Sequence, residues 1–159
     1  MKISAIKEND YRDVLALNED SVPHVNLISE IELRWFIKHA ALICVAKIDG
    51  NLVGFLIGLR PGKSYASPNY KWFCKNYKDF AYVDRIAVAK SARRKGVAEA
   101  LYRYFANSQA DAPIMTCEIN IRPPNPISML FHKYMGFKQI GSQETEQGKK
   151  EVALMEKAL

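Results

Sequence analysis

The sequence of 159 residues is 48% hydrophobic and 11% aromatic, which is enough for one domain with a sizeable core. This composition excludes an intrinsically disordered chain, a collagen and a small disulfide-rich scaffold. The 23 Lys and Arg residues outnumber the 17 Asp and Glu residues. The resulting formal charge of +6 favours an anionic partner such as nucleic acid, an acidic membrane surface or a charged small molecule.

The cysteines and the hydropathy pattern narrow the class of protein further. Cys44, Cys74 and Cys117 are odd in number and lack the spacing of metal ligands, so we expect free thiols and no metal site. No apolar run approaches the ~18 residues that a membrane-spanning helix needs, and the N-terminal residues do not resemble a signal peptide. The sequence therefore predicts a single soluble, cytoplasmic domain over residues 1–159 that does not associate with a membrane.

Two helices are predicted in the first forty residues. The first covers about residues 10–20. The second begins after Ser29, because Ser29 and Glu32 have the spacing of a capping box. In this second helix, Ile31 and Trp35 are expected to share one face.

The rest of the chain predicts a sheet with one irregular interruption. Asp49-Gly50 favours a tight hairpin turn between two apolar strands. Residues 60–79 are rich in aromatic side chains without a steady period, and they predict a long surface excursion with at most one short helix. Strands are expected at residues 2–6, 42–48, 52–59, 80–88, 114–120, 137–142 and 152–157, and further helices at 96–108 and 126–135. This alternation indicates an α/β fold with partly parallel strands.

The segment from residue 82 to residue 105 is the most informative. An apolar strand leads into a basic loop at residues 90–95, and Gly96 then opens an amphipathic helix that directs Leu101 and Tyr104 towards the core. The first backbone N–H groups of a helix have no partner within the helix, and the positive end of its dipole lies there. This arrangement predicts a phosphate-binding site at the start of the helix.

Three sequence elements, in their order and spacing, resemble the GNAT superfamily of acyl-CoA-dependent N-acyltransferases. Residues 93–98, RRKGVA, are similar to its R/Q-x-x-G-x-G/A signature, and residues 84–88, DRIAV, to the strand that holds the pantetheine arm. Residues 125–137, NPISMLFHKYMGF, are similar to the family's N-x-x-A-x-x-L-Y-x-K-x-G-F helix. The resemblance covers about residues 40–157 well.

The resemblance implies a mixed, mostly antiparallel central sheet with splayed fourth and fifth strands, flanked by about four helices. It also implies that acetyl-CoA, the co-substrate, lies in the gap between those strands. The implied cofactor-binding residues are Ile86, Ala87 and Val88 for pantetheine; Arg93, Arg94, Lys95, Gly96, Val97 and Ala98 around the pyrophosphate; and Asn125, Ser128 and Phe131 on the other wall.

Two side chains are candidates for proton transfer. The family's usual acid is a Tyr in the last helix, and the matching position here is His132, which departs from that pattern but is itself able to donate a proton near neutral pH. Tyr134 and Tyr102 are alternative donors. Asp84 is the candidate base, because acidic residues on that strand often serve this role in the family, and Glu118 is an alternative base.

The acceptor is expected to be a small-molecule amine or a peptide N-terminus. Its pocket is expected between the break at residues 21–26 and the aromatic excursion. The candidate acceptor-binding residues are Asn18, Glu19, Tyr65, Tyr70 and Trp72. Packing of the excursion is an alternative role for its aromatic residues.

We therefore expect transfer of an acetyl group from acetyl-CoA to a primary amine by direct attack in a ternary complex, and the resemblance is compatible with a homodimer. A non-catalytic acyl-CoA-binding or sensing module stays an alternative, because His132 replaces the family's Tyr. A basic nucleic-acid-binding protein is a further alternative. Residues 60–138 hold 14 basic and 5 acidic side chains, so the positive charge surrounds the predicted phosphate site and favours the cofactor over nucleic acid.

Overall fold

The computed structural model describes all residues from Met1 to Leu159, which form seven strands and five α-helices. The strands are β1 (Lys2–Ala5), β2 (Leu42–Ile48), β3 (Asn51–Leu59), β4 (Ala81–Val88), β5 (Ile114–Arg122), β6 (Lys138–Thr145) and β7 (Lys150–Ala158). The helices are α1 (Tyr11–Glu19), α2 (Glu30–His39), α3 (Pro68–Asn76), α4 (Val97–Ser108) and α5 (Pro126–Tyr134). The predicted order of elements is confirmed.

Local signals account for several boundaries. The Ser29 backbone N–H donates to Glu32 Oε2 over 2.7 Å, and the Glu32 N–H donates to Ser29 Oγ over 3.2 Å, so the predicted capping box starts α2. Asp49 and Gly50 both have positive φ, 51° and 82°, as the predicted hairpin turn between β2 and β3 requires. Within the excursion, Ser67 accepts a hydrogen bond from the Tyr70 N–H and thereby caps α3.

The strands form one mixed sheet in the order β1-β2-β3-β4-β5-β7-β6. β4 and β5 are parallel, whereas β1 with β2, β2 with β3, β5 with β7 and β6 with β7 are antiparallel. The parallel ladder comprises two residue pairs, Ala81 with Met115 and Tyr82 with Thr116. Both strands continue beyond these pairs, which confirms the expected splay and the mostly antiparallel sheet.

The contacts divide the chain into two compact units. The first unit contains residues 1–59 and 85–109, and the second contains residues 60–84 and 110–159. In the first unit α4 packs very closely on β3. A Cβ built on Gly58 would lie 2.2 Å from the Phe105 ring, and one built on Gly54 would lie 2.9 Å from Val97, so glycine at these positions permits the close approach.

An aromatic cluster forms the core of the second unit. The rings of Tyr70 and Phe73 on α3 lie 5.4 Å and 5.8 Å from the ring of Tyr82, and all three side chains are buried. Arg60 fixes the start of the excursion by donating to Asp79 over 2.7 Å and to Asp111 over 2.9 Å. The aromatic residues of the excursion therefore fold into the core as α3.

On α2 the face that carries Ile31 is exposed, and on α4 the prediction that Tyr104 points to the core is wrong. Ile31 is 80% exposed, and Leu33 and Phe36 form the buried face of α2 instead. The helix carries two apolar stripes, and the Arg85 guanidinium, 5.4 Å from the centre of the Phe36 ring, lies against the stripe that is buried. On α4 the exposed fraction of Tyr104 is 37%, whereas its neighbour Tyr102 is 2% exposed and takes the inward position.

The three cysteines are free thiols in the structure. Burial raises the pKa of Cys44 to about 12, which keeps this thiol protonated. None of the helices combines the length and the hydrophobicity that crossing a membrane requires.

Candidate active site

The basic turn before α4 has the backbone of an anion-binding site. Arg94 and Gly96 both have positive φ, 60° and 76°. The Ala100 N–H donates to the Gly96 carbonyl over 3.0 Å, so the N–H groups of residues 97–99 precede the first bond of this kind in the helix. Consecutive amides in such a turn, together with the positive end of the α4 dipole, favour a bound phosphate.

Glycine at position 96 is required by the backbone angle. A Cβ built on Gly96 would meet no protein atom within 4 Å, so space is not the constraint. A positive φ of this size is unfavourable for residues with a side chain. The turn is anchored by the buried side chains of Ala92 and Val97, and the Ala89 N–H donates to the Val53 carbonyl over 2.8 Å.

The side chains around this turn differ in their exposure. Arg93, Arg94 and Lys95 are exposed, and Ala98 is half-buried in the first turn of α4. Ala87 is buried, and Ile86 and Val88 on β4 are half-buried.

The predicted residues of α5 form the start of that helix. Asn125 Oδ1 accepts a hydrogen bond from the Ser128 N–H over 3.2 Å, which caps α5, and Pro126 occupies its first position. Phe131 is half-buried, and its ring centre lies 5.2 Å from that of His132. The hydrogen bond between Asn125 and Ser128 therefore stabilises the start of α5, independently of any ligand.

His132 is a buried imidazole. Its exposed fraction is 4%, its ring packs edge-on against Phe131 and Phe137, and Nδ1 lies 2.8 Å from the Ser128 carbonyl oxygen. Burial lowers its pKa below the ordinary value of 6.5. The imidazole is therefore neutral at neutral pH, which favours packing over proton donation; the acid role stays a prediction. The alternative donor Tyr134 is 75% exposed.

Two hydrogen-bonded pairs of a carboxylate and a phenol lie in the second unit. The Tyr65 hydroxyl donates to Asp84 Oδ1 over 2.6 Å, and the Tyr82 hydroxyl lies 2.8 Å from both carboxylate oxygens of Glu118. Tyr82 pairs with Thr116 in the parallel ladder, and Asp84 and Glu118 each lie two residues further along their strands. Both acidic residues therefore follow the point at which the ladder ends.

Tyr82 is a residue that the sequence interpretation missed. Its side chain is fully buried, and this burial, followed by the charges of Glu118 and Asp84, raises its pKa well above the ordinary value of 10. Tyr82 therefore stays protonated and holds Glu118 in place. The signal in the sequence was its position two residues before Asp84, which puts both side chains on the same face of β4.

The candidate acceptor residues differ from one another in burial and in contacts. Asn18 is fully buried, and its amide accepts from Arg85 over 3.2 Å and donates to the Asn26 carbonyl over 3.1 Å, whereas Glu19 is exposed. Tyr65 and Tyr70 line an open cleft of about 1160 Å³ in the second unit. Trp72 packs edge-on against Phe73, 5.3 Å between ring centres. Their acceptor-binding role stays a prediction.

Comparison with known families decides the class of the protein. A family model described as the acetyltransferase (GNAT) family matches residues 9–137. The chain belongs to the acetyltransferase (GNAT) family. It is therefore an N-acetyltransferase that carries out acyl transfer with acetyl-CoA as co-substrate, as the sequence predicted. The positive-φ turn and the open start of α4 fit the phosphates of this co-substrate.

Solved structures share the fold. The ribosomal-protein-alanine N-acetyltransferase of Brucella melitensis has a TM-score of 0.75 at 19% identity, with 100% of both chains covered. Naa20 of Chaetomium thermophilum, in complex with a bisubstrate analogue, has a TM-score of 0.76 at 20% identity, with 100% of this chain and 87% of that chain covered. The Salmonella typhimurium protein yncA, with its cofactor acetyl-CoA, has a TM-score of 0.73 at 13% identity and coverage of 99% and 93%. No curated protein matches the chain.

Proposed function

We propose that this enzyme acetylates a primary amine by direct attack in a ternary complex, with Asp84 as the base. Acetyl-CoA supplies the acetyl group as a thioester. The amine nitrogen attacks the carbonyl carbon, the amide bond forms as the C–S bond breaks, and coenzyme A leaves. The observation that carries the proposal is the Asp84 carboxylate, which accepts from Tyr65 at 2.6 Å while Tyr65 lines the open cleft.

Asp84 is preferred to Glu118 because their partners differ. The Tyr82 hydroxyl lies 2.8 Å from both oxygens of Glu118, and Tyr82 is fully buried. Asp84 instead contacts a tyrosine that lines the cleft, so a proton from an ammonium group in the cleft can pass to the carboxylate through the Tyr65 hydroxyl. Deprotonation there leaves the neutral nitrogen that attack requires.

The proton for the departing thiolate does not require a dedicated acid. A thiol with an ordinary pKa of ~8.5 leaves far more readily than an alkoxide or an amide nitrogen. Buried His132 is neutral near pH 7, so we assign it no obligatory part in this step. The proton lost by the amine is sufficient to balance the reaction.

The acceptor under this proposal is a small-molecule amine or the N-terminus of a peptide, as in the names of the ribosomal-protein-alanine enzymes that share the fold. The experiment measures coenzyme A release over a panel of peptides, polyamines, aminoglycosides and amino acids, and identifies the product by mass spectrometry. We expect one acetyl group on a primary amine and intersecting double-reciprocal lines when both substrates are varied. Parallel double-reciprocal lines would indicate a covalent acetyl-enzyme. No coenzyme A release with any amine of the panel, despite tight acetyl-CoA binding, would contradict the proposal.

A further inference from the structure

The excursion between β3 and β4 builds a cleft that the family motifs do not describe. Its walls are the loop that follows β3 and the exposed side of α3, and the open space measures about 1160 Å³. We call it the lysine cleft, after the side chains that line it. They include Lys63, Lys71, Lys75, Lys78, Tyr65 and Tyr77.

The charge of the lysine cleft is not balanced by the protein. Residues 61–78 contain four lysines and neither Asp nor Glu. Asp79, which follows this stretch in the chain, accepts from Arg60 over 2.7 Å, and Glu156 accepts from the Tyr77 hydroxyl over 2.6 Å. The four lysine side chains are exposed, and their ammonium groups form no ion pair.

Two arginines on other helices pair with a carboxylate on their own helix. Arg34 on α2 pairs with Glu30 at 2.7 Å, and Arg103 on α4 pairs with Glu99 at the same distance, each one turn away. On α3, Lys71 and Lys75 have the same spacing, but both are positive. Like charges one turn apart destabilise an isolated helix, so the sequence of α3 favours a ligand that supplies negative charge.

The lysine cleft reaches the proposed catalytic base through Tyr65. The Tyr65 side chain lines the cleft, and its hydroxyl donates to Asp84 over 2.6 Å. Small-molecule pockets usually measure ~300–1,000 Å³, so the volume of this open cleft is compatible with a ligand larger than a single amino acid. A peptide amine at the Tyr65 end of the cleft would therefore approach the hydroxyl that donates to Asp84, with the following residues towards the lysines.

We propose that the lysine cleft selects acceptors whose amine is followed by carboxylates, as in a peptide with an acidic N-terminal sequence. This proposal rests on the proposed function, because it takes the acceptor amine to Asp84. Each exposed ion pair contributes only a few-fold in affinity, so several together give on the order of tenfold to thirtyfold. Salt screens such pairs, and the preference is therefore expected to shrink at high ionic strength.

The test compares two peptides of equal length that begin with a free alanine. One continues with aspartate and glutamate, and the other carries asparagine and glutamine at the same positions. Fluorescence anisotropy of labelled peptides measures binding in the presence of coenzyme A, and coenzyme A release measures turnover. We expect the acidic peptide to bind about tenfold more tightly and to show a correspondingly lower KM, with most of this difference lost at about 0.5 M salt.

Variants assign the preference to the cleft. The double variant Lys71→Glu/Lys75→Glu is expected to lose the preference for the acidic peptide, so that the two peptides bind with similar dissociation constants. The control Lys149→Glu reverses one charge at an exposed position outside the cleft and is expected to keep the preference. Circular dichroism of both variants verifies the fold.

The outcomes separate this proposal from the proposed function. Equal binding of the two peptides, or a preference that survives in the double variant, overturns the acidic selectivity even if both peptides are acetylated. Tighter binding of the acidic peptide that depends on Lys71 and Lys75 supports the cleft even if turnover is absent. Absent turnover with every amine counts against the proposed function instead. A free acidic amino acid that binds as tightly as the peptide overturns the extended binding mode.

Discussion

Two regions of this chain concentrate positive charge, and they do so by different means. The turn at residues 93–98 relies on backbone amides, two residues with positive φ and the start of α4, with exposed basic side chains around it. The lysine cleft relies on side-chain ammonium groups above tyrosine hydroxyls. A site built from backbone tolerates most side-chain changes but not a change of φ, whereas a site built from side chains changes its preference with each substitution.

This difference matches the chemistry of the two ligands. Acetyl-CoA is the co-substrate of the family, and a backbone turn of this kind would hold its phosphates with little dependence on side-chain identity. Under the proposal for the lysine cleft, the acceptor instead contacts side chains of α3. Substitutions that change either the backbone angle or a side-chain charge test this comparison between the turn and the lysine cleft.

The support beneath the backbone site should be the most sensitive point. Gly58→Ala places a Cβ 2.2 Å from the Phe105 ring, and the close packing of α4 on β3 leaves no simple relief. We expect a loss of about 3 kcal/mol in the free energy of unfolding, measured by urea denaturation. Gly141→Ala is the control, since its Cβ would lie 3.8 Å from Leu154 and should cost less than about 0.5 kcal/mol. Similar losses in the two variants would contradict the packing argument.

The backbone angle at the turn should matter more than the charges around it. Gly96→Val forces a β-branched residue to a φ of 76°, and we expect the dissociation constant for acetyl-CoA to rise about tenfold or more. Arg93→Ala and Lys95→Ala should raise it only about threefold each, because these side chains are exposed. Isothermal titration calorimetry measures all three. If the charge variants lose more affinity than Gly96→Val, the site depends on side chains.

The buried imidazole of His132 should make the fold sensitive to acid. Its pKa in the folded state is lowered by burial, while the unfolded value stays near 6.5, so the unfolded chain binds a proton more readily. The free energy of unfolding is therefore expected to fall as the pH drops below 6.5, and His132→Phe should flatten that dependence.

His132→Gln should retain most of kcat. A loss of about 100-fold in kcat with an unchanged KM for acetyl-CoA would instead support the acid role.

A small stabilising change is expected at Thr116 on β5. Its hydroxyl oxygen is buried without a hydrogen-bond partner. Thr116→Val keeps the shape and removes the unsatisfied hydroxyl, so unfolding should require about 1 kcal/mol more. Thr145→Val, at a half-buried position on β6, is the comparison variant. A destabilised Thr116→Val protein would show that the hydroxyl is satisfied in solution.

Much of the fold was predictable because short segments encode it. Ser29 with Glu32, Asp49 with Gly50, and Gly96 each fix a turn or a helix start through their own backbone and near neighbours. Burial was harder to predict where a helix offers two apolar stripes, as Ile31 on α2 shows, because contacts from distant segments decide which stripe is buried.

The lysine cleft and the carboxylate pairs could not be read from local patterns. Tyr65 and Asp84 are 19 residues apart, and Tyr82 and Glu118 are 36 apart, so only the folded chain brings them together. One signal was present: residues 61–78 carry four lysines and no acidic residue. The aromatic residues of the same stretch obscured it, because Tyr70 and Phe73 are buried in the core whereas Tyr65 and Tyr77 line the cleft.

The base role of Asp84 is tested most directly by Asp84→Asn, which keeps the shape and removes the charge. The measurement pairs kcat, from coenzyme A release with an acetylated amine, with the dissociation constant for acetyl-CoA. Glu118→Gln and the exposed Asp13→Asn are matched variants. We predict a loss of about 100-fold or more in kcat for Asp84→Asn, with acetyl-CoA affinity unchanged and a smaller loss in the other two. Undiminished turnover by Asp84→Asn would contradict the account.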